Sequence, residues 1–369
     1  MLAMVERQAF EARASRLRKR LGQEGMGGVV IVPGPNMRYL TDVESFLLER
    51  PFMLLVSTSG GAHLVAPELE SGPYRRSAMD ITVHSWTDAQ GPRTAIEEAT
   101  GEAGFEGTWG VEGKAPFAYL ERLTAGRRIK LRSAEQVLQG LREVKDEAEM
   151  RILRRSCSIL SRSFREFPGL LREGMTEIEL AKAATETIQK NGPAKVEDML
   201  VQSGRRAADP HSLPSSKKIR RDESVVMDVG TSYLGYYSDI TRTFCLGTSN
   251  EFVRVYDEVL EGQKQGIRAA SAGVEVGAVD RATRQVIEKA GYGKEFFHRT
   301  GHGLGLEIHE GPYIVTGGKQ RLANGMYFTV EPGVYLRGRL GVRIEDDVLI
   351  NRGLGEEVTK IPKEYGWWR

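Results

Sequence analysis

Val225-Val226-Met227-Asp228-Val229, an apolar and β-branched run ended by Gly230, is followed after Gly235 by a second strand-like run, Tyr236-Tyr237-Ser238-Asp239-Ile240-Thr241-Arg242-Thr243-Phe244. The midpoint between Asp228 and Asp239 lies at Tyr233-Leu234, inside the intervening turn. Residues equidistant from the turn of an antiparallel pair sit opposite each other on one face of the sheet, so this spacing predicts that the two carboxylates meet. Tyr327-Phe328-Thr329-Val330-Glu331 and Val342-Arg343-Ile344-Glu345-Asp346-Asp347-Val348 repeat the pattern, with the midpoint of Glu331 and Glu345 at Gly338.

Four acids on one interior face raise one another's pKa, and desolvation adds to the cost, so a folded chain needs positive charge among them. Divalent cations supply it most directly. Four carboxylates and the imidazole of His302 suit a pair of borderline-hard ions, Mn²⁺, Co²⁺ or Zn²⁺ rather than Ca²⁺. The alternative, solvated strand acids, has to explain two separate pairings and a histidine cluster at once. Four of the six histidines, His211, His298, His302 and His309, fall between residues 211 and 309. Gly301-His302-Gly303-Leu304-Gly305-Leu306-Glu307-Ile308-His309-Glu310 places two of them where glycines permit close backbone approach. It lacks the setting of a dinucleotide fingerprint. His211 taken alone reads as a loop residue.

Together these segments resemble the pita-bread metallopeptidases: methionine aminopeptidase, aminopeptidase P and prolidase, with creatinase as a metal-free relative. The carriers are Met227-Asp228-Val229-Gly230, Tyr237-Ser238-Asp239-Ile240-Thr241-Arg242-Thr243, Thr300 through Glu310, Glu331-Pro332-Gly333 and Arg343-Ile344-Glu345-Asp346. The resemblance covers the whole chain and is strongest to the Xaa-Pro branch. It implies two divalent ions per chain, Mn²⁺ or Co²⁺ first and Zn²⁺ second. Asp228 would chelate one ion, His302 and Glu331 the other, and Asp239 and Glu345 would bridge both. All five ligands are present, which argues against a creatinase-like or non-catalytic chain. A hydroxide shared between two ions would attack the peptide carbonyl, with Glu331 as general base and acid. His211 and His309 would contact substrate and stabilise the tetrahedral intermediate.

The expected activity is that of a metal-dependent Xaa-Pro dipeptidase (prolidase), cleaving before proline in a di- or oligopeptide. An aminopeptidase P acting on longer peptides, or a scaffold of the same fold, are the alternatives. His211, His298, His309 and Arg343 are the candidate substrate-binding residues. Arg343, Arg299 and Arg337 lie near the ligands and could receive a proline carboxylate, although a pairing of Arg343 with a ligand carboxylate is the preferred reading. The sequence does not separate a dipeptidase from an aminopeptidase P.

With 369 residues the chain exceeds the usual single-core size. Residues 1–130 read as a creatinase/prolidase-like α/β unit, 131–145 as a linker, and 146–369 as the pita-bread catalytic domain. The first unit opens on a helix whose apolar face is Phe10, Ala14, Leu17 and Leu21, followed by strand-like runs at Val29–Val32, Met53–Val56 and His63–Val65. Asn36, Tyr39 and Leu40 are assigned to a loop that could reach a partner's site or, equally, form a turn that caps its own sheet. His63 and His84 have no acidic cluster near them in sequence and read as ordinary structural or surface residues. In the second unit, Asp146 with Glu149 and Thr176 with Glu179 mark helix starts. Helices expected near 147–168 and 176–190 precede the first acidic hairpin, and helices near 253–271 and 278–290 precede the second. This internal repeat predicts a pseudo-twofold, curved antiparallel sheet with the site between its halves.

Lys+Arg number 52 against 50 Asp+Glu, so no general field draws nucleic acid or an anionic membrane. The basic runs Arg16-Leu17-Arg18-Lys19-Arg20 and Lys217-Lys218-Ile219-Arg220-Arg221 give no nucleic-acid site. Cys157 lies in the helical series Met150, Leu153, Cys157, Leu160, Phe164, Phe167 and reads as a core thiol, with Cys245 the only other cysteine. Met1–Arg7 turns charged before a signal region can form, and no apolar run spans a bilayer. A cytoplasmic homodimer is expected.

Overall fold

The computed structural model describes residues 2–368, with side chains from Gln8 onward. Met1–Arg7, read above as too charged for a signal region, therefore lies outside the residues whose side chains are described. The chain forms two compact units, Met1–Arg142 and Glu143–Arg369.

In the first unit the elements run α1 (Leu2–Gln23), β1 (Gly28–Ile31), α2 (Pro35–Thr41), β2 (Met53–Ser57), β3 (Ala62–Pro67), α3 (Glu68–Ser71), β4 (Thr82–Trp86), α4 (Arg93–Glu102), β5 (Gly107–Val111), α5 (Phe117–Thr124), β6 (Ile129–Ser133) and α6 (Glu135–Arg142). The strands make one mixed sheet in the order β4-β3-β2-β1-β5-β6. Phe10, Ala14, Leu17 and Leu21 are all buried, as one stripe of an amphipathic helix requires. Burying each large side chain contributes roughly 1.5–3 kcal/mol. Residues 131–145 hold the end of β6 and all of α6 rather than an extended connection.

Asn36, Tyr39 and Leu40 lie in helix α2, not in a loop, and all three are buried. Pro35 at the first helical turn starts that helix. Asn36 donates to Glu112 at 2.6 Å, and Tyr39 donates to the Leu141 carbonyl at 3.0 Å. They brace their own unit.

The second unit comprises α7 (Glu147–Glu166), α8 (Glu177–Asn191), β7 (Lys195–Ser203), β8 (Ser224–Tyr233), β9 (Tyr236–Cys245), α9 (Asn250–Ala269), α10 (Val276–Lys289), β10 (Gly301–Gly303), β11 (Glu310–Ile314), β12 (Tyr327–Val330), β13 (Gly333–Leu336), β14 (Leu340–Arg343), β15 (Asp346–Asn351) and β16 (Leu354–Glu357). Asp146 and Thr176 each close a capping box with the glutamate three residues on. Leu153, Cys157, Leu160 and Phe164 form a fully buried stripe of α7, so Cys157 is a core thiol whose pKa burial pushes far up. A helix pair followed by antiparallel strands occurs twice, which is the repeat expected of a pita-bread fold. Hydrogen bonding divides the strands into β7-β8-β9, β11-β10-β12-β15-β16 and the hairpin β13-β14. No helix among the described residues is long and apolar enough to cross a membrane.

Both hairpins need comment on register. β8 continues through Gly230, where a side chain would come within 2.6 Å of Ile308 Cδ1. The turn is Leu234-Gly235, with φ of 48° and 78°, and positive φ at both central residues is the signature of a two-residue turn matched to strand twist. Asp228 therefore faces Thr241, and Asp239 faces Gly230. The two acids share a face but are diagonal neighbours, two rungs apart, rather than directly opposite. In the second hairpin Tyr327 pairs with Leu349, Val330 with Asp346, Gly333 with Arg343 and Leu336 with Leu340, all symmetrical about Gly338. The ladder breaks at Glu331-Pro332 and Ile344-Glu345, because proline offers no N–H for it. Glu331 and Glu345 lie in that break.

Candidate metal centre

Asp228 and Asp239 come from β8 and β9, His302 from β10, and Glu331 and Glu345 from the interrupted second hairpin. All five line one cleft of about 840 Å³. Gly301 lets β10 lie against its neighbour, since a Cβ there would sit 1.9 Å from the Thr329 carbonyl oxygen. Thr329 then donates to Glu331 at 3.1 Å and Thr241 donates to Glu345 at 2.6 Å, fixing both glutamates from the strands beside them.

His302 carries a clear orientation. Its Nδ1 is 3.2 Å from the Gly303 carbonyl oxygen, which can only accept, so the ring proton resides on Nδ1. The lone pair on Nε2 consequently faces Glu331 Oε1 at 3.2 Å and Asp239 Oδ2 at 4.0 Å. An acceptor is aimed at two acceptors. Asp239 Oδ1 is also buried without a hydrogen-bond partner among the described residues. Donor atoms of Asp239, His302 and Glu345 lie within 4.8 Å of one another. Unsatisfied acceptors converging in a buried space fit a cation, and the carboxylate and imidazole donors fit a divalent metal.

The electrostatics agree. Burial, reinforced by Asp228 and Glu331, drives Asp239 well above the usual carboxylate range. Burial with Asp239 and Glu331 does the same to Glu345. Glu331 is pushed up to about 7 chiefly by burial, against the pull of Arg343. Burial and the neighbouring His309 hold His302 well below its ordinary value, in the neutral form that ligates metals.

Around this cluster Arg343 donates to Asp228 at 2.5 Å, to Thr241 at 3.2 Å and to the Tyr335 hydroxyl oxygen at 2.8 Å. His298 Nδ1 lies 2.7 Å from the Arg299 carbonyl oxygen, so Nε2 accepts from the Tyr335 hydroxyl at 2.9 Å. Burial pushes His298 down to about 4. His298, Tyr335, Arg343 and Asp228 thus form one chain of hydrogen bonds. His309 packs edge-on against His302 with ring centroids 4.1 Å apart, and His211 reaches the cleft from an exposed segment. Asp346, by contrast, faces away from the cleft and meets Arg242 at 2.6 Å and Lys363 at 2.7 Å.

Tyr335, Thr241 and Thr329 were not singled out from sequence. Strand parity offers a signal for Tyr335: it pairs with Gly341, two rungs from Arg343 on the same face. Phe297 and Arg205 also line the cleft and had no sequence signal.

Residues 151–352 match Metallopeptidase family M24, which is more than half of the chain. The chain belongs to metallopeptidase family M24. It is thus a hydrolase of a family that works with divalent metal ions. Residues 13–144 match the Creatinase/Prolidase N-terminal domain. The M24 chain is 34% identical over 345 residues to "Probable dipeptidase PepE" of Mycobacterium tuberculosis, covering 92% of each chain. It is 32% identical to "Xaa-Pro dipeptidase" of Pyrococcus horikoshii, covering 93% of this chain and 95% of that one. Among solved structures it resembles recombinant prolidase from Thermococcus sibiricus, with a TM-score of 0.90, 35% identity, and coverage of 96% of this chain and 98% of the other.

Proposed function

We propose that this M24 peptidase is an Xaa-Pro dipeptidase that hydrolyses the bond before proline with two divalent ions, Mn²⁺ or Co²⁺ in preference to Zn²⁺. The observation that carries the reading is the convergence of the His302 lone pair and the orphaned Asp239 oxygen with Glu331 and Glu345 in one cleft. The names of the relatives supply the proline specificity.

In this reading the catalytic residues belong to the second unit. Asp228 would hold one ion, His302 and Glu331 the other, and Asp239 and Glu345 both. Bound there, the ions would polarise the scissile carbonyl and acidify a water. The protein's own contribution is orientation and proton handling. Arg343 engages Asp228 Oδ2 and so fixes that carboxylate's plane, while the guanidinium itself is held by Tyr335 and Thr241. Glu331 is the general base and acid, taking a proton from the attacking water and giving it to the leaving proline nitrogen. His309 and His211 donate to the oxyanion as it develops, an interaction that strengthens in the transition state. His298 acts through Tyr335. A homodimer, a cytoplasmic setting and a proline-containing substrate complete the proposal.

Ala-Pro assayed beside Ala-Pro-Ala, with Mn²⁺ or Co²⁺ added, tests it. Cleavage of the dipeptide alone is expected. Cleavage of the tripeptide in preference would assign the chain to the aminopeptidase P type, and cleavage of neither would leave a scaffold.

A further inference from the structure

The first unit brings together groups that the peptidase reading does not use. β3 and β4 run parallel, His63 pairing with Thr82 and Val65 with His84, so the two histidines are two rungs apart on one face. Helix α4 carries Glu98 and Glu102 four residues apart, one turn of a helix. His63 Nδ1 lies 3.3 Å from His84 Nε2 and 3.4 Å from Glu102 Oε2, and His84 Nε2 lies 3.6 Å from the same oxygen. Three potential ligand atoms form a nearly equilateral triangle.

We propose that His63, His84 and Glu102 form a second divalent-cation site, of zinc type, in the N-terminal unit. A tetrahedral ion with bonds of about 2.0–2.2 Å has its donor atoms roughly 3.3–3.6 Å apart, the span of all three edges. The competing arrangement is a hydrogen-bonded trio. Good hydrogen bonds between such groups span about 2.7–3.2 Å, and every edge here is longer.

The surroundings are those of a ligand set. Both rings are buried, while Glu102 is 55% exposed, which leaves a path for the ion and a fourth position for water. Burial, with His84 adjacent, holds His63 below its usual pKa and therefore in the neutral, ligating form. Glu98 Oε2 stands 3.5 Å from His84 Nδ1, where a carboxylate behind a metal-bound imidazole orients the ring. The carboxylates of Glu98 and Glu102 balance the charge of a dication. Two nitrogens and one oxygen favour Zn²⁺, Co²⁺ or Ni²⁺ over Mg²⁺ or Ca²⁺. Bound there, the ion would tie the β3-β4 edge of the sheet to the helix that covers it.

The test is Zn²⁺ counted per full-length chain after equilibrium dialysis, for the native protein and for His84→Asn and Glu102→Gln. The native chain should retain one more Zn²⁺ than either variant, and Glu98→Gln should bind that ion about 10–100-fold more weakly. Glu102 is exposed enough for the glutamine to be tolerated, so this variant keeps the test open should His84→Asn fail to fold. Anomalous diffraction at the zinc edge should place a peak in bonding contact with all three donor atoms. Equal zinc content in the native chain and in Glu102→Gln would overturn the proposal, as would a peak that appears only at soaking concentrations while the solution counts are equal.

Discussion

Glu345 and Asp346 are adjacent, both are buried, and their carboxylates have opposite fates. Glu345 points into the cleft, where burial, Asp239 and Glu331 drive its pKa well above the ordinary range. Asp346 points the other way. Burial alone would raise it too, yet Arg242 and Lys363 hold it below its usual value. On one face two internal cations compensate Asp346, whereas in the cleft the guanidinium of Arg343 pairs with Asp228 and leaves Asp239, Glu331 and Glu345 facing one another and a histidine lone pair. The difference marks the cleft as the place where positive charge arrives from outside the chain.

The comparison can be broken at several points. Glu331→Gln should have the largest effect, lowering kcat by about 10²–10⁴-fold in the metal-loaded protein if the carboxylate moves the proton. Steady-state rates on Ala-Pro measure it. Arg242→Met removes one of the two internal cations from Asp346 and should destabilise the fold by about 3–5 kcal/mol, because breaking a buried pair leaves its partner under-compensated. Asp239→Asn in the metal-free protein should do the reverse and raise Tm, since it removes one of the mutually repelling acids. Chemical and thermal denaturation of the two variants side by side decide this. A fall in Tm for both would show that the cleft acids are stabilised without metal.

His309→Ala should lower kcat by about 10²–10³-fold with metal content unchanged, as expected for loss of an oxyanion donor. Tyr335→Phe has a smaller expected effect, a 10–100-fold loss of metal affinity or activity, because it acts by releasing Arg343 from its position beside Asp228. Metal titration and rates together distinguish the two variants.

The pH dependence follows from the raised carboxyls. A folded-state pKa above the unfolded value means that the native chain retains protons the unfolded chain has lost. Metal-free stability is then fully present below the unfolded value, about 4.3 for Glu, and is lost as pH rises toward the Glu331 value of about 7. Each such group costs on the order of 1 kcal/mol per pH unit across that window. Ions compete with those protons, so the Tm gain on adding Mn²⁺ should grow from pH 5 to pH 7. Differential scanning calorimetry with and without Mn²⁺ checks the sign.

Much of this site could be read from alternation and turn position. The face shared by Asp228 and Asp239 follows from strand parity, but their register does not, because the two-residue Leu234-Gly235 turn moves the partner of Asp228 two positions along, from Asp239 to Thr241. Symmetry about Gly338 holds for the second hairpin, while the break at Pro332 separates its two ladders. The capping boxes and the Cys157 stripe were legible because they are local. Asn36, Tyr39 and Leu40 were misread as a loop. Pro33-Gly34-Pro35 looks like a break, and the helix it starts is short and held by contacts distant in sequence, with Glu112 and Leu141. The grouping of His63 and His84 with Glu102 was invisible for a related reason. It depends on a parallel strand pair and a covering helix, which no hairpin arithmetic brings together.

The most direct measurement is the number and position of ions in the cleft, from anomalous diffraction at the manganese edge on crystals grown with Mn²⁺. Two peaks are predicted, one in contact with His302 and Glu331, the other with Asp228, and both with Asp239 and Glu345. A cleft holding no peak, with the same side chains in place, would contradict the account.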